Sequence, residues 1–140
     1  MPRSSTHLAV ELAFLPVFIL VGYLLRLKTA LLPFSVGYLG GSLLLSPDLD
    51  LRGSRAARRW GCLRVIWWPY ALLFRHRGLS HHPLFGPLTR FLYLGAWLAG
   101  LGVLLVRLGL QFPPTLWAWL IPALVGLWVP QLLHILLDRL

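Results

Sequence analysis

The stretch TLWAWLIPALVGLWVPQLLHILLD, residues 115–138, decides the fold class of this chain. It carries no Asp, Glu, Lys or Arg before Asp138, and it is longer than the roughly 20 apolar residues that a helix needs to cross a bilayer. Its end carries a histidine and an aspartate four residues apart, His134 and Asp138. The stretch therefore predicts a membrane-spanning helix that ends in a small polar cluster.

The composition of the whole chain also indicates a membrane protein. The 140 residues are 58% hydrophobic and 12% charged, whereas soluble domains carry about 25% charged residues. Their mean hydropathy is +0.75. We predict an all-α, polytopic membrane protein with a single membrane-embedded, metal-binding domain over residues 1–140. The lone Cys62 excludes an internal disulfide and a cysteine-based zinc site.

Four apolar segments predict transmembrane helices, and a fifth predicts a shorter helix. The predicted spans are residues 8–25, 29–45, 91–106 and 115–137. Residues 63–74 reach only about 18 Å as a helix and carry adjacent aromatic side chains, which favours an interfacial or re-entrant helix. We interpret Trp60, Trp67 and Trp68 as members of an aromatic belt at the membrane surface.

The positive charge predicts how the chain is oriented. The net charge is +9, from thirteen Lys and Arg residues and four Asp and Glu residues. With four spans, only Arg26, Lys28 and Arg107 lie on one face, and the other ten lie on the face that holds both termini. The positive-inside rule makes that face cytoplasmic, in a bacterial inner membrane. In a soluble protein such a charge would suggest nucleic acid, but here it favours membrane lipids as the partner.

The acidic residues and histidines are concentrated in four clusters on that same face. The clusters are His7/Glu11, Asp48/Asp50, the loop Arg75-His76-Arg77-Gly78-Leu79-Ser80-His81-His82, and His134/Asp138. The two histidine–acid pairs have i, i+4 spacing, which places both side chains of a pair on one helical face. Charge bias and cluster position are separate observations, and both select the same face.

Each cluster also has a structural interpretation without chemistry. An i, i+4 pair at a helix end is often a solvated or capping pair. Asp48 and Asp50 follow Pro47 and could cap or turn the chain, and the histidine loop could bind lipid head groups. Taken together, however, the clusters supply nitrogen and oxygen ligands and no thiolate. That set predicts a site of two or three divalent ions, Zn²⁺ or else Mn²⁺ or Fe²⁺.

Three phrases of the sequence resemble a known family. They are Leu45-Ser-Pro-Asp-Leu-Asp50, His76-Arg-Gly-Leu-Ser-His81 and His134-x-Leu-Leu-Asp138. They resemble the small bacterial membrane-bound, metal-dependent hydrolases, and look closest to the branch described as predicted metal-binding integral membrane proteins. That branch also carries a Thr-His pair near its start, as Thr6-His7 does here. The group is distantly similar to zinc-dependent phospholipase C and the fungal zinc nucleases.

The resemblance implies a ligand set and an activity. By motif, the implied metal ligands are His7, Asp48, Asp50, His76, His81, His134 and Asp138, and Glu11 is added by its spacing from His7. The distant enzymes are all-helical, hold three zinc ions and cleave phosphate esters. They also use a free N-terminal ligand, which Met1-Pro2 does not supply. Two metal ions are therefore as well supported as three.

From these observations we predict a metal-dependent hydrolase that cleaves a phosphoester of a phospholipid or lipid-linked phosphate at the cytoplasmic face. Arg75 and Arg77 would stabilise the charge that develops on the phosphate. One alternative is a non-catalytic metal sensor or scaffold, and another is a nuclease-like phosphodiesterase. Metal transport ranks last, because it would favour ionisable residues in mid-membrane.

Overall fold

The computed structural model describes residues 4–46, 49, 53–74, 82 and 84–138, and within these ranges the chain is helical and contains no strand. The helices are α1 Ser4–Leu24, α2 Lys28–Leu44, α3 Arg55–Arg59, α4 Trp67–Leu73, α5 Phe85–Arg107 and α6 Thr115–Leu137. A 3₁₀ segment, Gly61–Ile66, leads directly into α4. The all-helical character predicted from the sequence is thus confirmed for the described residues.

Within the part of the chain that the structure describes, three helices are long and apolar enough to cross a membrane. They are α1 over Thr6–Leu24, α5 and α6. Helix α2 has 17 residues, which corresponds to about 26 Å and falls short of a hydrocarbon core of about 30 Å. The four predicted spans are therefore not confirmed as a set, and a crossing by α2 stays a prediction.

Helix α5 begins earlier than the sequence predicts. Its expected start at residue 91 followed from treating Arg90 as the end of a basic loop, but the helix begins at Phe85. Arg90 lies within the first two turns and is fully buried. The interior of the protein therefore accommodates its charge, and the helix does not have to end where the charge appears.

Helices α2 and α6 approach each other more closely than side chains usually allow. A Cβ atom at Gly37 would overlap the carbonyl oxygen of Ala123, and one at Gly126 would overlap that of Phe34. In a membrane, where lipid is as apolar as the helix surface, association depends on this close backbone packing of small residues. The glycines therefore hold α2 against α6 along their length.

The three packed helices bring distant parts of the chain to one end. Helix α1 runs antiparallel to α2, because Phe18 contacts Phe34 while the Tyr38 hydroxyl donates to the carbonyl oxygen of Glu11 at 2.8 Å. Helix α2 then runs parallel to α6. The start of α1 and the ends of α2 and α6 consequently lie together.

A compact aromatic core lies beside this end and corrects one sequence interpretation. Trp67 is buried, not part of a membrane belt, and packs with its ring centroid 5.2 Å from that of Trp60 and 5.6 Å from those of Tyr70 and Tyr93. Trp60 is half-buried, and its indole N–H donates to the carbonyl oxygen of Leu44 at 2.8 Å. Two of the three proposed belt residues, Trp60 and Trp67, therefore contact other residues of the protein.

Candidate metal centre

Two of the four predicted clusters come together at the shared end of α1 and α6. His7 and Glu11 lie in the first turns of α1, and His134 and Asp138 lie at the end of α6. Each pair occupies one face of its helix because of its i, i+4 spacing. The antiparallel packing of the two helices then makes the faces meet.

The distances place the two histidines and Asp138 around a common point. Nε2 of His7 lies 3.5 Å from one carboxylate oxygen of Asp138, and Nε2 of His134 lies 3.9 Å from the other. The imidazole centroids are 4.5 Å apart. One ligand atom from each of the three residues lies within 4.8 Å of the other two.

Glu11 holds His134 in position. The Nδ1–H group of His134 donates to Oε1 of Glu11 at 2.8 Å, and this assignment leaves the ligand lone pair on Nε2, which faces Asp138. A carboxylate behind a ligating histidine is a common arrangement in metal sites, because it fixes the tautomer and raises the basicity of the ligand nitrogen. Glu11 therefore orients the His134 imidazole through its Nδ1 atom.

The residues fit a divalent metal ion. His7, Glu11 and His134 are all at most 5% exposed, and Nε2 of His7 meets no hydrogen-bond partner among the residues that the structure describes. A buried polar atom without a partner is unfavourable. With metal–ligand distances of about 2.0 Å, two ligand atoms of one tetrahedral Zn²⁺ lie about 3.3 Å apart. The separation of 3.5 Å between His7 and Asp138 is close to this value, whereas His134 and Asp138, at 3.9 Å, would have to move closer to bind one ion.

Six other predicted site residues lie outside the described residues. They are Asp48, Asp50, Arg75, His76, Arg77 and His81. His82 is described and has a local role. It is exposed, and its Nδ1 accepts hydrogen bonds from the backbone N–H groups of Leu84 and Phe85 at 3.2 and 3.3 Å. His82 thus satisfies donors at the start of α5.

Two residues near the centre were not singled out by the sequence. Ser42 and Arg59 line a small cavity together with Glu11 and His134. Ser42 lies in an apolar helix, and Arg59 is one of several arginines in a basic segment. No spacing or motif distinguishes either residue, since both positions depend on how α2 and α3 pack.

Comparison with known proteins identifies the family of this chain. Residues 2–140 match the family described as uncharacterized metal-binding protein (DUF2227). The chain belongs to this family. Metal binding, the coarser part of the resemblance seen in the sequence, is thereby supported, whereas similarity to hydrolases, phospholipase C or nucleases stays a prediction.

A curated relative and the solved structures add little about activity. An uncharacterized protein of Aquifex aeolicus (strain VF5) is 46% identical over 63 residues, which cover 45% of each chain. The match thus spans less than half the length of that relative. No solved structure matches the chain significantly.

Proposed function

We propose that this protein is a membrane-bound, divalent-metal-dependent hydrolase of phosphoesters, with phospholipids or lipid-linked phosphates as its substrates. The observation that carries the proposal is the convergence of His7, His134 and Asp138 from two helices, with Glu11 bonded to His134. Nitrogen and oxygen donors of this kind suit Zn²⁺ or Mn²⁺. The polar cavity beside these residues supports a role beyond holding the helices together.

His7, His134 and Asp138 would hold the metal ion. When bound, it would act as a Lewis acid toward a phosphoryl oxygen and lower the pKa of a water molecule. Glu11 keeps the proton of His134 on Nδ1, so that Nε2 stays a ligand. The burial of His7 and His134 excludes bulk water, which strengthens the electrostatic interactions within the site.

The position of the centre supports a lipid substrate. The centre lies where α1 begins and α6 ends, and both helices are candidate spans. A site at the end of spanning helices would meet the head groups of the bilayer without removing a lipid from it. With the cytoplasmic orientation predicted from the charge bias, this would be the inner leaflet of a bacterial inner membrane.

The residues predicted from motifs complete the proposal. Asp48, Asp50, His76 and His81 would add ligands for a second or third ion. Arg75 and Arg77 would bind the phosphate, because a guanidinium group can donate two hydrogen bonds to it at once.

The metal site is tested by metal content. Mass spectrometry on detergent-purified protein should find stoichiometric zinc, manganese or iron in the wild type and a loss in His7→Ala and His134→Ala. His82→Ala is the matched control, because His82 is exposed and caps α5. Its metal content should equal that of the wild type. Wild-type protein without stoichiometric metal, even after reconstitution, would remove the proposal.

The reaction is tested on three substrates with the metal-loaded protein. Release of a phosphorylated product from phospholipid vesicles, or hydrolysis of a chromogenic phosphodiester, should require the metal and disappear in His134→Ala. Stoichiometric metal without hydrolysis of the phospholipid or the chromogenic phosphodiester would favour a metal sensor or scaffold over an enzyme. Cleavage of single-stranded nucleic acid alone would replace the lipid hydrolase by a nuclease.

A further inference from the structure

A small cavity adjoins the candidate metal centre on the side of α2 and α3. Its volume is about 10 Å³, which is close to the minimum that a single water molecule or oxygen atom needs. Its polar lining residues are Glu11, Ser42, Ser46, Arg59 and His134. The cavity therefore connects the centre to Ser42, Ser46 and Arg59, which the ligand set does not include.

Ser42 lines this cavity and carries an unsatisfied hydroxyl group. The residue is 4% exposed, and within the described residues its Oγ has no hydrogen-bond partner. A serine in a helix can bond the backbone carbonyl oxygen one turn earlier, but the Ser42 hydroxyl has no such partner among the described residues. Because an unpaired buried hydroxyl is costly, its position at the lining favours an oxygen or nitrogen atom as the occupant of the cavity.

Arg59 supplies the positive charge. It lies at the end of α3, and its Nη1 donates to the carbonyl oxygen of Leu43 at 3.1 Å. The neighbouring Trp60 donates to the carbonyl oxygen of Leu44. These two bonds fix the end of α3 against the end of α2. A guanidinium group has five N–H donors, so Arg59 keeps donors beyond the one that anchors it.

We propose that this cavity is the oxyanion subsite of the metal centre and receives one oxygen of a phosphate group. Ser42 Oγ donates to that oxygen, and Arg59 balances the charge of the phosphate at the mouth of the cavity. This inference rests on the proposed function and specifies the phosphate group of the substrate as what the cavity recognises. The Glu11 carboxylate also lines the cavity and would repel the phosphate, so Arg59 and the metal ion would have to offset its charge, while its Oε1 is occupied by the hydrogen bond from His134.

The neighbouring arginine offers a matched control. Arg58 and Arg59 are adjacent, exposed residues of the same short helix, and only Arg59 lines the cavity. Arg59→Gln and Arg58→Gln therefore remove the same charge from nearly the same place. Glutamine is too short to reproduce the bond from Nη1 to the carbonyl oxygen of Leu43, so in this variant the bond from the Trp60 indole to the carbonyl oxygen of Leu44 would keep α3 docked.

The test is calorimetric binding of inorganic phosphate to metal-loaded protein in detergent, with metal content measured on every sample. We expect Arg59→Gln to weaken phosphate binding at least tenfold and Ser42→Ala several-fold, with metal content unchanged. Arg58→Gln should bind as the wild type does, since surface charge alone contributes little. Equal phosphate affinity in the wild type, Arg59→Gln and Ser42→Ala would overturn the subsite.

The same samples separate this inference from the proposed function. If Arg59→Gln and Ser42→Ala leave phosphate affinity unchanged but the protein still hydrolyses its substrate, the proposed function stands and the subsite is wrong. Arg59-dependent phosphate binding without hydrolysis would retain the subsite and remove the enzyme. Nanodiscs that contain phosphatidic acid should compete with free phosphate if the group belongs to a lipid, whereas phosphatidylcholine nanodiscs serve as the reference.

Discussion

Glu11 and His134 are 123 positions apart in sequence, and Oε1 of Glu11 accepts a hydrogen bond from Nδ1 of His134 at 2.8 Å. Both residues are almost completely buried. The bond joins the first helix of the chain to its last, at the point where the candidate ligands meet. It therefore links the packing of α1 against α6 to the geometry of the candidate metal centre.

The first prediction concerns Glu11. Removal of the carboxylate in Glu11→Ala should weaken metal binding by about 10- to 100-fold, because a carboxylate behind a ligating histidine orients that histidine. Glu11→Gln retains an acceptor oxygen and should lose less. Competition with a chelating dye measures both affinities, and an unchanged affinity in Glu11→Ala would contradict the orienting role.

The local part of the site could be predicted from the sequence. Helical geometry alone places His7 with Glu11, and His134 with Asp138, on common faces. Spacing could not show that residues of one pair contact residues of the other pair. Glu11 bonds to His134, which lies across the bundle, and not to His7 on its own helix. That choice depends on the packing of α1 against α6.

The fold shows the same division between local pattern and tertiary contact. Apolar length predicted α6 with its observed bounds, because a long uncharged run leaves a helix few alternatives in lipid. The environments of Arg90 and Trp67 were missed. An arginine was read as a helix boundary and a tryptophan as a belt residue, yet both are buried. Burial of such side chains depends on which elements dock over them.

The second prediction concerns metal removal. A metal held by His7 on α1 and by His134 and Asp138 on α6 would link the first and last helices. A ligand that binds only the folded state stabilises it, by about 2.7 kcal/mol at a free concentration of 100 times Kd. Chelation should therefore lower the Tm of the wild-type protein in detergent.

The control for metal removal is a variant without the site. His7→Ala should show a low Tm from the start, and a chelator should lower it no further. His82→Ala should respond to the chelator as the wild type does, because His82 is exposed and caps α5. An equal chelator effect in His7→Ala would place the stabilising ion elsewhere.

The third prediction concerns the aromatic core. Trp67 is 1% exposed and packs against Trp60, Tyr70 and Tyr93. Trp67→Ala should lower the free energy of unfolding by about 3–5 kcal/mol, as large-to-small substitutions in a packed core do. Trp97→Ala should cost much less, because Trp97 is half exposed on α5. Denaturant titration in mixed micelles compares the two, and equal losses would contradict the core assignment.

The fourth prediction concerns the contact between α2 and α6. Alanine at Gly126 places a Cβ atom against the backbone of Phe34 and Tyr38, where no flexible side chain can move aside. Gly126→Ala should therefore lower the free energy of unfolding by about 1–3 kcal/mol, the usual cost of overpacking. The helices would be forced apart, and because α6 carries His134 and Asp138, metal affinity should fall together with stability.

Gly100→Ala is the matched control for this contact. Gly100 also lies within a helix, α5, but a Cβ atom there meets nothing within 4 Å. Alanine has the higher helix propensity, so this variant should be as stable as the wild type or more stable, with the same metal affinity. A Gly126→Ala protein that matched Gly100→Ala in both measurements would show that the close approach of α2 and α6 is not needed to assemble the centre.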